Sequence, residues 1–157
     1  MSAMTSDVAQ VTGPYLAAAC LCERVLEEKD AVLSAIRIVD RIQLQGVAPP
    51  GMEPPQMLPV PIQLVALVML KNGSARGTRR LSLQPRTPAG FKLPGPSIPI
   101  LFEGDDDRGV NIRLLIQFSA EEEGIYWFDV LLDDEVVTRM PLRVVYQIAT
   151  TNVPPQL

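Results

Sequence analysis

The residues able to do chemistry fall in three places. Cys20 and Cys22 stand two apart in A-A-C-L-C-E. Glu103, Asp105, Asp106 and Asp107 crowd one loop, E-G-D-D-D-R-G. The stretch Gly124–Tyr146, G-I-Y-W-F-D-V-L-L-D-D-E-V-V-T-R-M-P-L-R-V-V-Y, sets Asp129, Asp133, Asp134 and Glu135 beside Tyr126, Trp127 and Phe128 and the arginines Arg139 and Arg143. The chain has no histidine. Ser-His-Asp and Cys-His catalysis, His-ligated zinc and the Glu-x-x-His di-iron pattern are therefore excluded within it. Acid–base work near neutral pH would fall to a carboxylate, Lys, Cys or Tyr with a shifted pKa.

Each group has a plain structural reading beside the chemical one. In a strand, Cys20 and Cys22 share a face with Cα atoms about 6.5–7 Å apart, the outer limit for a disulfide. They read as small core residues, with a thiolate nucleophile as the alternative. Asp105, Asp106 and Asp107 could offer oxygen ligands to Ca2+, but their adjacency is not the alternating pattern of an EF-hand, and Arg108 can neutralise them. Asp129 is expected opposite Arg139, and Asp133 and Asp134 in a turn. Nothing in the sequence supplies the burial or like charge that would make any of these a general acid. Neither Gly-rich phosphate-loop pattern occurs.

The elements that must position these groups read as strands. Fifteen prolines among 157 residues argue against long helices. Tyr15–Cys22, Val32–Leu44, Ile62–Lys71, Thr78–Gln84 and Val110–Ser119 are apolar runs or alternate in period two. A closing hairpin follows. Glu23–Asp30 could hold one or two helical turns. Gly46–Pro61 and residues 85–99 read as proline-rich loops. In the hairpin, Tyr126, Phe128, Val130 and Leu132, then Val136, Thr138, Met140, Leu142, Val144 and Tyr146, form a core face, while Trp127, Asp129, Leu131, Val137, Arg139, Pro141 and Arg143 point outward. Keeping like faces opposed predicts a three-residue loop, Asp133-Asp134-Glu135, with Asp129 opposite Arg139 and Trp127 opposite Pro141. Glu122-x-Gly124-x-Tyr126 has the spacing of the tyrosine corner in immunoglobulin-like domains, with Phe128 where many of those domains carry a cysteine.

The expected fold is an all-β, immunoglobulin-like antiparallel sandwich of about seven strands with at most one short helix. Its domain spans 14–149, between tails at 1–13 and 150–157. The motifs A-C-L-C-E at 19–23, L-S-A-I-R-I-V-D at 33–40 and the closing hairpin resemble a bacterial family of small immunoglobulin-like β-sandwich proteins of unassigned function. The resemblance covers about half the chain. It implies a bacterial or phage origin and a sandwich, and no catalytic residues.

Net charge is −4 and the pI about 4.8, against a nucleic-acid partner. The basic middle of the chain (Lys71, Arg76, Arg79, Arg80, Arg86, Lys92) contains only Phe91 as a stacking platform. It could steer an acidic partner or complement a second copy. The apolar run before Arg24 is too short to span a membrane and follows no basic segment, so a cytoplasmic chain with reduced thiols is expected. The function expected is non-enzymatic: a protein-interaction or assembly module needing no cofactor. Its contact surface would be Trp127, Asp129, Arg139 and Arg143, with a protein partner or self-association and no membrane. The rivals are a sandwich binding Ca2+ or carbohydrate through residues 103–109 and Trp127, and an enzyme using Cys20 or Cys22.

Overall fold

The computed structural model describes residues 12–48, 57–104 and 107–150. Within them lie nine strands: β1 (Tyr15–Glu27), β2 (Leu33–Ile38), β3 (Arg41–Ala48), β4 (Val60–Lys71), β5 (Arg76–Arg86), β6 (Ser97–Glu103), β7 (Gly109–Ala120), β8 (Gly124–Leu132) and β9 (Glu135–Thr150). No helix occurs among the described residues, and none is long and apolar enough to cross a membrane. The strands form a four-stranded sheet, β2-β1-β4-β7, and a five-stranded sheet, β3-β9-β8-β5-β6. All pairings are antiparallel except β3 with β9. The neighbours β1-β4-β7 and β9-β8-β5 reproduce the two halves of an immunoglobulin-like sandwich.

The core lies between the sheets and follows the period-two pattern. Leu64, Ala66, Val68 and Leu70 of β4, Leu81 and Leu83 of β5, Ile112, Leu114 and Ile116 of β7, Phe128 and Val130 of β8, and Leu142 and Val144 of β9 are all buried in it. Burying each large aliphatic or aromatic side chain is worth about 1.5–3 kcal/mol. The Phe128 ring meets Phe118 edge-on at 5.7 Å, and Phe118 lies 5.2 Å from Tyr126. The tyrosine corner forms as expected, the Tyr126 hydroxyl donating to the Glu122 carbonyl at 2.9 Å.

Several expectations are corrected. Glu23–Glu27 continues β1 rather than coiling into a helix; it pairs with β2 through Glu27↔Leu33. Val32–Leu44 is not one strand. After Ile38 the chain crosses from one sheet to the other, and both ends of the crossing are tied. The Val39 amide donates to the Leu21 carbonyl, and the Arg143 amide donates to the Asp40 carbonyl, each at 2.8 Å. Arg37, the residue before the last of β2, has φ 53°. Residues 97–99, expected in the second proline-rich loop, join 100–103 in β6 despite Pro99, because β6 is an edge strand and can spare the amide. Gly46–Ala48 belongs to β3, not to a loop. A Cβ on Gly46 would stand 2.0 Å from the Tyr146 hydroxyl, so the ring needs that glycine. Residues 49–56 of the first proline-rich segment, and the expected tails apart from residues 12, 13 and 150, lie outside the described residues.

The closing hairpin keeps its predicted faces away from the turn by an unexpected route; next to the turn the expectation is corrected, since Val136 is exposed and Val137 packs against the core. The turn is two residues, Asp133-Asp134, with Leu132 opposite Glu135. Both aspartates have positive φ (48° and 67°), as a type I′ turn requires. Such a loop would oppose the wrong faces, but a bulge between Val130 and Leu131 in the register restores them. Beyond it, Val130 meets Thr138, Asp129 meets Arg139, Phe128 meets Met140 and Trp127 meets Pro141, as predicted.

Candidate interaction surface

The outer face of the five-stranded sheet gathers arginines. Alternation along β5 turns Arg80, Ser82, Gln84 and Arg86 outward, because Leu81, Leu83 and Pro85 are buried. The register then sets Arg86 opposite Trp127, and Trp127 opposite Pro141. One level along, Gln84, Asp129 and Arg139 form a second row. Arg41 of β3 stands beside Arg143 of β9. Trp127 is 39% exposed. It is flanked by Arg86 across one ladder and by Arg139 and Arg143 on the strand at its other side.

Asp129 was expected to belong to the exposed surface, and that is corrected. It points outward, yet it is 1% exposed. Arg86 Nη2 closes on Oδ2, and Arg139 Nε lies 3.1 Å from Oδ1. The second contact is an ion pair off hydrogen-bonding angle, since Oδ1 has no hydrogen-bond partner. The two guanidiniums lie over the carboxylate, which fixes them and touches no solvent. Its chemical role is to position Arg86 and Arg139 around Trp127.

Arg86 and Arg41 were missing from the surface expected from the sequence. Extending the β5 alternation by two residues would have placed Arg86, but Pro85 looked like the start of a loop. Arg41 depended on recognising a parallel pair between distant strands, for which the sequence carries no local mark.

The other candidates resolve differently. Cys22 is buried and Cys20 half-buried, and both are free thiols. They are not in the inter-sheet core: Cys22 lies opposite Val65 while its neighbour Leu21 faces inward, so both cysteines sit on the outer face of the four-stranded sheet. The Cys22 thiol donates to the Val65 carbonyl at 3.6 Å. Burial pushes both thiols up from their ordinary range, the reverse of what an activated nucleophile needs.

In the acidic loop, Asp105 and Asp106 lie outside the described residues. Asp107 is exposed, and its carbonyl accepts from Lys71 Nζ at 3.1 Å. Arg108 pairs with Glu103 at 3.8 Å. Among the described residues, no group of three or more Asp, Glu or Cys side chains could hold a metal ion. Asp133 serves the fold: its carboxylate accepts from the Arg80 amide at 2.9 Å and from Arg79 at 3.0 Å. These contacts, the backbone one foremost, hold its pKa below the usual carboxylate value.

No family model and no curated protein matches this sequence. Among solved structures the chain is similar to an immunoglobulin-like protein from Pseudomonas aeruginosa, at 13% identity and a TM-score of 0.36, over 87% of this chain and 98% of that one. That likeness is too distant to transfer anything to this chain.

Proposed function

We propose that the protein is a non-enzymatic interaction module that holds an acidic protein partner on the outer face of its five-stranded sheet. One observation carries this reading. An exposed tryptophan stands among Arg86, Arg139 and Arg143, and the one acid among them, Asp129, is buried beneath two of those arginines. In a chain of net charge −4 this is a local reversal of sign. Such a patch steers an anionic partner during encounter and suits bidentate contact with carboxylates. Aromatic and arginine side chains are also the usual centres of binding energy. Two free thiols fit a cytoplasmic setting, and the sequence motifs favour a bacterial or phage source.

The test is affinity purification from the native host with quantitative mass spectrometry. Trp127→Ala and Arg143→Glu should each deplete the same acidic partner, and raised salt should weaken its capture. If both variants retain every partner of the parent protein, the reading fails.

A further inference from the structure

Strand β7 lies at the edge of the four-stranded sheet, with no strand beyond it among the described residues. It runs for 12 residues and pairs along its whole length with β4, on one side only. Among the described residues no backbone group or side chain bonds to its other edge. An immunoglobulin-like sheet carries a further strand at this place. Here β6, the preceding strand, pairs with β5 in the opposite sheet instead.

Exposed edges are normally blunted by lysine, proline, a bulge or an inward-pointing charge. The sequence G-V-N-I-R-L-L-I-Q-F-S-A has no lysine or proline, and its register with β4 is unbroken. Its one charge, Arg113, points to the outer face and pairs with Glu27 at 3.4 Å. The loop Pro94–Pro96 stands off from Leu115–Phe118 across a cleft of about 270 Å³. On the outer face, Leu115 is 53% exposed. It ends an apolar row, Ile38, Cys22, Val65 and Leu115, that crosses all four strands at one level.

We propose that β7 pairs antiparallel with β7 of a second copy about a two-fold axis, joining the two four-stranded sheets into one. The strand matches itself. With the axis at Leu114, Arg113 opposes Leu115, Ile112 opposes Ile116, Asn111 opposes Gln117 and Val110 opposes Phe118. Core-facing residues then meet core-facing residues, amides meet amides, and no like charges meet. The two Leu115 side chains bring the apolar rows of both copies together across the axis. A two-fold axis makes one surface serve both partners. A ladder of this length supplies on the order of ten hydrogen bonds, as many as a typical specific interface contains.

Sedimentation equilibrium of the full chain over a concentration series is the test. The expected species is a dimer of the 17.2 kDa chain. Leu115→Lys sets a like charge opposite Arg113 at two symmetric places and should weaken the dimer about tenfold. The side chain is exposed, so circular dichroism should show an intact fold. Trp127→Ala should leave the mass unchanged, which separates this interface from the arginine-rich face. Amide hydrogen exchange gives a second readout: the β7 amides that do not bond to β4 should be protected in the dimer and exchange freely in dilute protein. A monomer at every concentration, a dimer indifferent to Leu115→Lys, or β7 exchange that ignores dimerisation would each overturn the proposal.

Discussion

Asp129 and Arg139 face each other directly across β8 and β9, with Arg139 Nε 3.1 Å from Asp129 Oδ1. The pair is lopsided. The carboxylate is 1% exposed, whereas the Arg139 side chain is 56% exposed and that of Arg86 is 35% exposed. Removing the acid leaves two cations that can turn to water. Removing Arg86 alone takes away the hydrogen-bonded partner while Arg139 still lies over the anion. Asp129→Ala should therefore cost about 1–3 kcal/mol, and Arg86→Ala about 3–5 kcal/mol. Urea unfolding of the two variants measures the difference; equal losses would contradict it.

Tyr126→Phe removes the corner hydrogen bond to Glu122 and should cost about 0.5–1.5 kcal/mol near neutral pH. Burial also raises the Tyr126 hydroxyl above its ordinary pKa of 10.0. The folded state thus holds this proton more tightly than the unfolded chain. The stabilisation is complete below the unfolded value and is lost as pH rises through the folded one. Between those limits the parent protein should lose stability faster than Tyr126→Phe. Parallel slopes in that window would contradict the linkage.

The Asp133-Asp134 turn offers a contrast within one motif. Both residues have positive φ, which costs any residue other than glycine. Asp134→Gly yields the Asp-Gly pair favoured in type I′ turns and should stabilise by about 0.5–1 kcal/mol. Asp133→Gly relieves the same strain but forfeits the bonds to Arg79 and Arg80. It should destabilise above the ordinary carboxylate pKa of 3.8. That loss should fade as pH falls through the lowered folded value, because those bonds need the ionised form. Thermal melts of the two variants at neutral and acid pH check both signs.

Thiol labelling should separate the two cysteines. Cys20, half-buried, should react slowly with a disulfide reagent at neutral pH, and Cys22 only on unfolding. Rapid native reaction of Cys22 would revive a nucleophilic role.

Side-chain parity was the most readable feature of the sequence. Strict alternation along β7 and β8, and along β9 beyond Val137, identified the inner faces and the outward company of Trp127, because a buried face strongly constrains register. Devices that break regularity were hidden. The bulge beside Leu131 let a two-residue turn do the work expected of three. The crossing at Val39-Asp40 is held by single backbone bonds to two sheets, and no residue type announces it. Pro99 concealed β6 because proline signals a loop until the strand is known to lie at an edge. The candidate surface was half visible for the same reason: Trp127, Arg139 and Arg143 follow local parity, while Arg86 follows a proline and Arg41 joins only through a distant parallel partner.

That parallel partnership also sets a timetable. Gln43 of β3 and Gln147 of β9, joined through their side chains, are 104 residues apart in the chain. A ribosome adding about 5–20 residues per second leaves β3 without its partner for about 5–20 s after it is made. Through that interval Ile42 and Leu44 have no closed sandwich to enter. The nascent chain, rather than the finished domain, is therefore the form most exposed to misassembly, and folding of the five-stranded sheet can be completed only after the last strand is synthesised.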